Sequence, residues 1–177
     1  MSDAATNWET SNLTDLIGHL LQHHHPYTKA ALNDLSPLLD KVLSVHGDDH
    51  PELTELASLF RQLRDDLEQH LMKEEHILFP YMLKLEAESS PMPPPFGTIE
   101  NPIRMMTMEH CTDGAILHKM LGITDNFALP PGACASFTAL YQGLHALVND
   151  LFQHIYQENN ILFVKAIELE KIKLGRA

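Results

Sequence analysis

Apolar residues recur at intervals of three and four along most of the chain, a spacing that indicates amphipathic α-helices. The clearest stripe lies near the carboxyl end and includes two polar positions: Leu140, Leu144, Leu147, Leu151, His154, Glu158 and Ile161. An earlier stripe has the same rhythm: Leu63, Leu67, His70, Glu74, Ile77 and Tyr81. The sustained period-two alternation that is typical of half-buried strands is absent from the sequence. The pattern therefore predicts an all-α protein.

Turn-forming residues divide the chain into four long periodic segments, which predict helices over residues 13–45, 52–88, 101–124 and 133–169. Four amphipathic helices with short connections favour an up-down-up-down four-helix bundle. We expect a bundle at residues 13–170 between polar tails at 1–12 and 171–177. Proline has no backbone N–H and clashes with the preceding turn, so Pro26 and Pro37 predict kinks or a break in the first helix.

An internal repeat links the second and fourth helices. Residues 66–80 and 150–164 match at 8 of 15 positions with a shift of 84. The first and third helices repeat more weakly at a shift of 85, which places His25 opposite His110. The chain is therefore interpreted as two copies of a helix hairpin that contribute equivalent groups to a shared interior.

Composition and charge exclude several classes of function. The length of 177 residues fits one domain, and a formal net charge of −12 argues against nucleic-acid partners and anionic lipid surfaces. No apolar run approaches the ~20 residues needed to span a bilayer. The amino-terminal residues are polar and acidic, and the chain has only two cysteines, so we expect a cytoplasmic location. The 12 histidines equal all lysines and arginines together, which directs attention to metal binding.

Two histidine–glutamate pairs interrupt apolar stripes in equivalent places. His70 with Glu74, and His154 with Glu158, are spaced i and i+4, so each pair shares one helix face that should point into the core. A buried carboxylate without a partner is destabilising by at least several kcal/mol. Lys and Arg are absent from the stripes beside these pairs. One such pair could be purely structural, but the duplicated pair favours a bound cation.

The distance of each histidine from the turn that connects its helix to the next identifies further candidate ligands. In antiparallel neighbours, His70 reaches the level of His25, and His154 reaches the level of His110. The first helix leaves an ambiguity, because His24 follows the apolar phase of its helix better than His25 does. We prefer His25 and keep His24 as the alternative.

The candidate metal ligands are four imidazoles and two carboxylates: His25, His70, Glu74, His110, His154 and Glu158. They would give two metal ions two histidines each, with the glutamates bridging. Imidazole-rich sites suit transition metals, and this set suits two iron ions with an oxo or hydroxo bridge and a position for an exogenous ligand. Manganese or a mixed pair is the alternative. Asp66 and Asp150 are either outer acceptors for imidazole N–H groups or solvated acids.

Several short motifs resemble a known family. These are HxxxEExxLFP from His70, Glu109-His110, PPxAC from Pro130, and HxxxENNxLF from His154. They are similar to the hemerythrin-like domain of the iron–sulfur cluster repair di-iron proteins, across nearly the whole chain. Two departures are Val164, where the family usually has proline, and Pro26 directly after His25. The family's full-length proteins usually add an N-terminal cysteine-bearing module, whereas about a dozen residues precede the predicted bundle.

The resemblance implies a di-iron site bridged by two glutamates and held by histidines from all four helices. It implies a role in restoring clusters damaged by nitric oxide or peroxide, by donating iron to iron–sulfur client proteins. Two other functions are kept as alternatives. One is a hemerythrin-like binder or sensor of dioxygen or nitric oxide, and the other is an enzyme that reduces nitric oxide or peroxide. A helical bundle without metal is the simplest competing interpretation.

Overall fold

The computed structural model describes residues 7–175, and within that range it consists of helices and connecting loops without strands. Three short π-helical segments lie between α-helices: α1 (Leu13–His19), π1 (Leu20–His24), α2 (His25–His46), α3 (Glu52–Lys73), π2 (Glu74–Leu78), α4 (Phe79–Ala87), α5 (Glu100–Ile123), α6 (Ala135–Gln157), π3 (Glu158–Leu162) and α7 (Phe163–Leu174). Each π segment continues its neighbours without a loop, so the described chain forms four long helices at residues 13–46, 52–87, 100–123 and 135–174.

The four long helices form the predicted up-down-up-down bundle. The first packs against the second through α2 and α3 and against the fourth through α2 and α6, and the third packs on the second through α5 and α3. The all-α prediction is confirmed, and the helices lie close to the predicted segments. None of the helices described by the structure is both long and apolar enough to cross a membrane.

The apolar interior is split into two clusters along the bundle axis. The larger cluster lies at the end with the 47–51 and 124–134 turns and includes Leu39, Phe60, Leu117 and Leu144. The smaller cluster lies at the opposite end and is built from α1, α4, the start of α5 and α7. In every long helix, the residues between the two clusters include buried histidine or glutamate. A polar layer therefore crosses the middle of the bundle.

The π2 segment shifts the buried face of the second helix by one residue where that helix meets the polar layer. A π turn contains one residue more than the 3.6 of an α turn, and such turns are frequent at functional sites. The second apolar stripe was predicted to continue from Glu74 to Ile77 and Tyr81. Ile77 is instead 51% exposed, and the buried positions after Glu74 include Leu78, Phe79 and Met82. The extra residue of π2 explains this error.

The prolines do not break the first helix. Pro26 is the second residue of α2, directly after π1, and α2 continues through Pro37 to His46. The N–H of His25 bonds to the carbonyl of Leu20, five residues earlier. The ordinary hydrogen-bond ladder is therefore already altered where Pro26 lacks a donor. Pro80 and Val164 occupy the same position after π2 and π3.

The described ends of the chain pack on the smaller cluster. Trp8 lies against that cluster and stacks on His19. At the other end α7 continues to Leu174, four residues beyond the predicted end of the bundle, and Gly175 closes it in the left-handed conformation at φ +60°. Residues 1–6 and 176–177 lie outside the described range, so the tails at 1–12 and 171–177 remain a prediction.

The amino terminus of the first helix is held by a carboxylate from the second. The Glu86 carboxylate accepts the N–H groups of Leu13 and Thr14 at 2.8 and 2.9 Å and the Thr14 hydroxyl at 2.6 Å. Burial opposes the charged form, but these donors outweigh it and hold the pKa of Glu86 below its usual 4.5. Glu86 therefore caps a helix and joins two elements distant in sequence.

Replacing this carboxylate with an amide, Glu86→Gln, is expected to lower the free energy of unfolding by about 1–2 kcal/mol, the range for a lost cap and its charged hydrogen bonds. Because the folded pKa is depressed, the carboxylate stabilises the fold above pH ~4.5 and loses this effect as the pH falls through the folded pKa. Urea unfolding at pH 7 and below pH 4 measures both effects.

Glu88→Gln is the matched control for this variant. Glu88 lies two residues away, and its carboxylate makes only a 3.8 Å ion pair with Lys84 among the contacts of the described residues. Its replacement should change the unfolding free energy by less than about 0.5 kcal/mol. Equal effects of the two variants at pH 7 would show that Glu86 does not act as a cap.

Candidate metal centre

The polar layer brings the six predicted ligands together from all four long helices. Each is at most 4% exposed, and the two glutamates are completely buried. Their ligand atoms form two groups that share both glutamates, with all atoms of a group within 4.8 Å of one another: His25, Glu74, His154 and Glu158; His70, Glu74, His110 and Glu158. The structure therefore pairs the histidines two by two around a common pair of carboxylates.

Each glutamate faces two histidines through their Nε2 atoms. Glu74 Oε1 lies 3.3 Å from His70 Nε2, and Glu74 Oε2 lies 3.6 Å from His25 Nε2. Glu158 Oε1 lies 3.0 Å from His154 Nε2, and Oε2 lies 3.2 Å from His110 Nε2. These distances equal or exceed hydrogen-bond lengths, and the carboxylate oxygens and Nε2 atoms all face the interior of the layer.

Several of these inward atoms have no hydrogen-bond partner within the described range: His25 Nε2, Glu74 Oε1, Glu74 Oε2 and Glu158 Oε2. Unsatisfied polar atoms are rare in protein interiors because each loses its hydration without replacement. Lys29 and Lys73, which could have neutralised the carboxylates, bind Glu75 and Glu109 instead. Buried carboxylates and imidazole nitrogens without partners fit a bound metal cation.

The outward nitrogen of three of the histidines is held by a second polar residue. His25 Nδ1 lies 2.8 Å from Glu75, and His70 Nδ1 lies 2.9 Å from Glu109. The third pair joins His110 Nδ1 to Asn159 Oδ1 at 2.9 Å. Because carboxylate and amide oxygens accept hydrogen bonds, Nδ1 carries the proton in each case. When Nε2 carries no proton, its lone pair is then directed inward, as metal ligation requires.

The outer acceptors differ from the aspartates that the sequence suggested. Asp66 is exposed, and Asp150 lies 3.0 Å from His24 rather than beside a candidate ligand. Glu75 and Asn159 directly follow the two central glutamates, at matching positions of the internal repeat. Their equivalent places in the repeat could have identified these two residues from the sequence. The π segments, which direct their side chains toward the histidines, could not be predicted from it.

The charges of the layer are strongly coupled. Burial lowers the pKa of His70, but Glu74, Glu158 and Glu109 outweigh it and raise the pKa to about 10. Burial raises the pKa of Glu158, and the neighbouring His154 and His110 more than reverse this, so its pKa falls well below the usual range. For His25 burial dominates, and its pKa is lowered. Glu158 is thus placed to be an anionic ligand at neutral pH.

An open cavity of about 140 Å³ adjoins one side of the centre, lined by Asp66, Gln69, Lys73, Glu109, Thr112 and Asp113. Asp113 is buried, which raises its pKa to about 6, and its Oδ2 has no hydrogen-bond partner in residues 7–175. Glu109, the acceptor for His70, separates this cavity from the buried ligands.

The choice between His24 and His25 follows from the first π segment. Both residues are buried, but only His25 joins the groups around the glutamates. The apolar phase of α1 points to His24, and the extra residue in π1 transfers that inward position to His25. His24 stacks instead on His154, with 5.3 Å between ring centroids.

Comparison with protein families gives one match over most of the chain. The profile of the hemerythrin HHE cation binding domain matches residues 16–166. This range contains all six candidate ligands, the three π segments and most of both apolar clusters.

Several curated proteins are similar to the chain over the same region. The iron-sulfur cluster repair protein DnrN of Neisseria gonorrhoeae is 35% identical over 161 residues, which cover 91% of this chain and 96% of that protein. A probable iron-sulfur cluster repair protein of Haemophilus influenzae is 34% identical, with 91% and 68% covered. The iron-sulfur cluster repair protein YtfE of Escherichia coli O81 is 35% identical, with 91% and 69% covered.

Proposed function

The chain belongs to the hemerythrin HHE cation binding domain family, and from that membership we propose that it is a di-iron protein that helps to repair iron–sulfur clusters by donating iron. The observation that carries the proposal is the buried group of four imidazoles and two carboxylates, whose inward atoms lack partners among the described residues. The similar proteins of Neisseria, Haemophilus and Escherichia, all named for cluster repair, support the same function.

Two iron ions are the proposed occupants of the centre. His25 and His154 would hold one ion, His70 and His110 the other, and Glu74 and Glu158 would be shared by both. The pairing of histidines around the common carboxylates supports this assignment. A bound iron pair would supply an exchangeable metal, whereas the protein supplies the donors and holds their orientation through Glu75, Glu109 and Asn159.

The donor set suits iron that must later be released. Two carboxylates neutralise only two of the four positive charges on a pair of ferrous ions, because the four imidazoles are neutral ligands. Such a centre holds the pair less strongly than a carboxylate-rich site does. Partial neutralisation therefore favours donation over permanent storage.

The proposed clients are iron–sulfur proteins whose clusters were damaged by nitrosative or oxidative stress. A cytoplasmic location belongs to the same proposal. Cys111 and Cys134 are both free and exposed, and free thiols are typical of reducing compartments.

Transfer of iron to an apo-ferredoxin tests this function directly. The iron-loaded protein, apo-ferredoxin and a sulfide source are mixed without oxygen, and cluster formation is followed by visible absorption and circular dichroism. We expect clusters to form in proportion to the iron supplied by the protein. The Glu74→Ala/Glu158→Ala variant, carried through the same loading procedure, should form none.

Three outcomes would contradict iron donation. Iron that stays on the protein while the acceptor remains without a cluster shows that the site is not a donor. A reversible spectral change on adding dioxygen or nitric oxide, without loss of iron, would instead support a carrier or sensor. Steady consumption of nitric oxide or peroxide would indicate an enzyme.

A further inference from the structure

A line of imidazole rings connects the metal centre to the surface of the first helix. The ring of His24 stacks on His154, with planes 20° apart. The centroid of His19 lies 5.2 Å from that of His24 and 4.8 Å from that of His23. His24 is 5% exposed, His19 is half-buried and His23 is exposed. Neighbouring rings in this line are in contact, and the line runs from the candidate ligand His154 to the solvent.

The outer end of this line resembles a chelating pair. His19 and His23 are spaced i and i+4, the spacing at which two histidines on one helix bind a transition metal. They line an open groove of about 530 Å³ together with Trp8, Ser11, Thr14, Asp15, Gly18 and Gln22. The Asp15 carboxylate in this groove adds negative charge. A divalent cation arriving from solvent would thus meet a pair of neighbouring imidazoles, 4.8 Å apart between ring centroids, in a groove that also contains a carboxylate.

The inner end of the line contains unsatisfied polar atoms. His24 Nδ1 lies 3.0 Å from Asp150 Oδ1 but makes no hydrogen bond of acceptable geometry. The other oxygen of this carboxylate, Oδ2, also has no hydrogen-bond partner among the described residues. A buried imidazole beside a carboxylate, neither fully satisfied, is unfavourable on its own. A cation passing between them would satisfy both.

Comparison of the first helix with the third, its partner in the internal repeat, shows that the bundle folds without an equivalent line of rings in the third helix. At a shift of 85, His24 corresponds to Glu109, which holds His70 and binds Lys73. His19 and His23 correspond to Arg104 and Met108, so the third helix has no equivalent imidazoles there. Beside His70, the centre is therefore bordered by the ion pair of Glu109 and Lys73. Beside His154, it is bordered by the line of histidine rings.

We propose that His19 and His23 form an outer binding site for a divalent transition metal, and that His24 with Asp150 passes ions between this site and the buried centre. The transfer is an exchange of ligands at constant oxidation state, so it needs no oxidant or reductant. This inference rests on the proposed metal centre, and ferrous iron is the ion it would carry there.

The first test counts metal ions. Nickel(II) is titrated calorimetrically into the iron-loaded protein, and one additional ion per chain is expected to bind. The His19→Ala/His23→Ala variant should lose this ion while keeping its iron. His118→Ala is the matched control, because His118 is an exposed histidine that also stacks on an aromatic ring, Phe152. Equal nickel binding by all three proteins would overturn the outer site.

The second test measures iron release to an excess of ferrozine under anaerobic conditions. Release should slow about tenfold in the His19→Ala/His23→Ala variant, which corresponds to ~1.4 kcal/mol in the barrier. Gly18→Phe should slow it similarly by filling the groove, since a Cβ at Gly18 meets no heavy atom within 4 Å. His118→Ala should match the parent.

The results separate this inference from the proposed function. A parent protein that binds no iron contradicts both. A parent that loads iron and releases it at the same rate as every variant contradicts only the passage of ions between the outer site and the buried centre. Slower release in both groove variants with unchanged iron content supports it.

Discussion

Replacing both buried glutamates, Glu74→Ala with Glu158→Ala, is expected to reduce the iron content from about two ions per chain to nearly none. The number two is that of the proposed centre, in which each ion would have two histidines and share both carboxylates. The glutamates are the only anionic groups among the six candidate ligands, so their loss removes the charge that holds both ions. Elemental analysis of protein loaded under identical conditions measures the effect.

A control must separate metal binding from the general effect of removing a buried carboxylate. Glu170 is buried in the smaller cluster, where it accepts bonds from Tyr81, Thr98 and the N–H of Ile99. Glu170→Ala should destabilise the fold and still load about two ions. Far-UV circular dichroism confirms that both variants remain helical. An unchanged iron content in the double variant would refute the proposed ligand set.

Removing the metal from the parent protein is expected to lower its melting temperature by about 10 °C. A ligand that binds only the folded state stabilises it by about 4 kcal/mol when its free concentration is a thousand times its dissociation constant. For chains of this length, 1 kcal/mol corresponds to roughly 2–4 °C. In addition, the metal-free layer leaves buried donor atoms unsatisfied. Calorimetry of loaded and chelator-treated samples measures the shift.

The Glu74→Ala/Glu158→Ala variant provides the internal control for this experiment. It holds no iron in our proposal, so chelator treatment should leave its melting temperature unchanged. A parent protein that melts at the same temperature with and without chelator would contradict a metal in the polar layer, because a bound ion must stabilise the state that binds it.

The sequence predicted the bundle because its leucines repeat over long stretches and its turns are rich in Gly, Pro and Asp. It also pointed to the interior positions of His70, Glu74, His154 and Glu158, since each pair lies on an apolar stripe of an otherwise regular helix. The internal repeat then placed His25 opposite His110. These inferences depend on helical periodicity within one segment, which a sequence displays directly.

The π segments could not be predicted from the sequence, because no particular type of amino acid marks a turn that contains one additional residue. The signal that remains is a change of phase. The buried positions after His70 include Glu74, Leu78 and Met82, three successive steps of four that would drift by about 120° around a regular α-helix. The choice of His25 over His24, the exposure of Ile77 and the aim of Glu75 all depend on these turns.

The polar layer across the interior has a consequence for how the protein unfolds. Two apolar clusters of unequal size are separated by this layer, in which several buried carboxylate and imidazole atoms lack hydrogen-bond partners among the described residues. In the proposed iron-bound state, coordination would join all four helices at this level, and we expect one cooperative transition. Without it, the smaller end formed by α1, α4 and α7 becomes free to open by itself. Metal loading and cooperative unfolding are then two measures of one property.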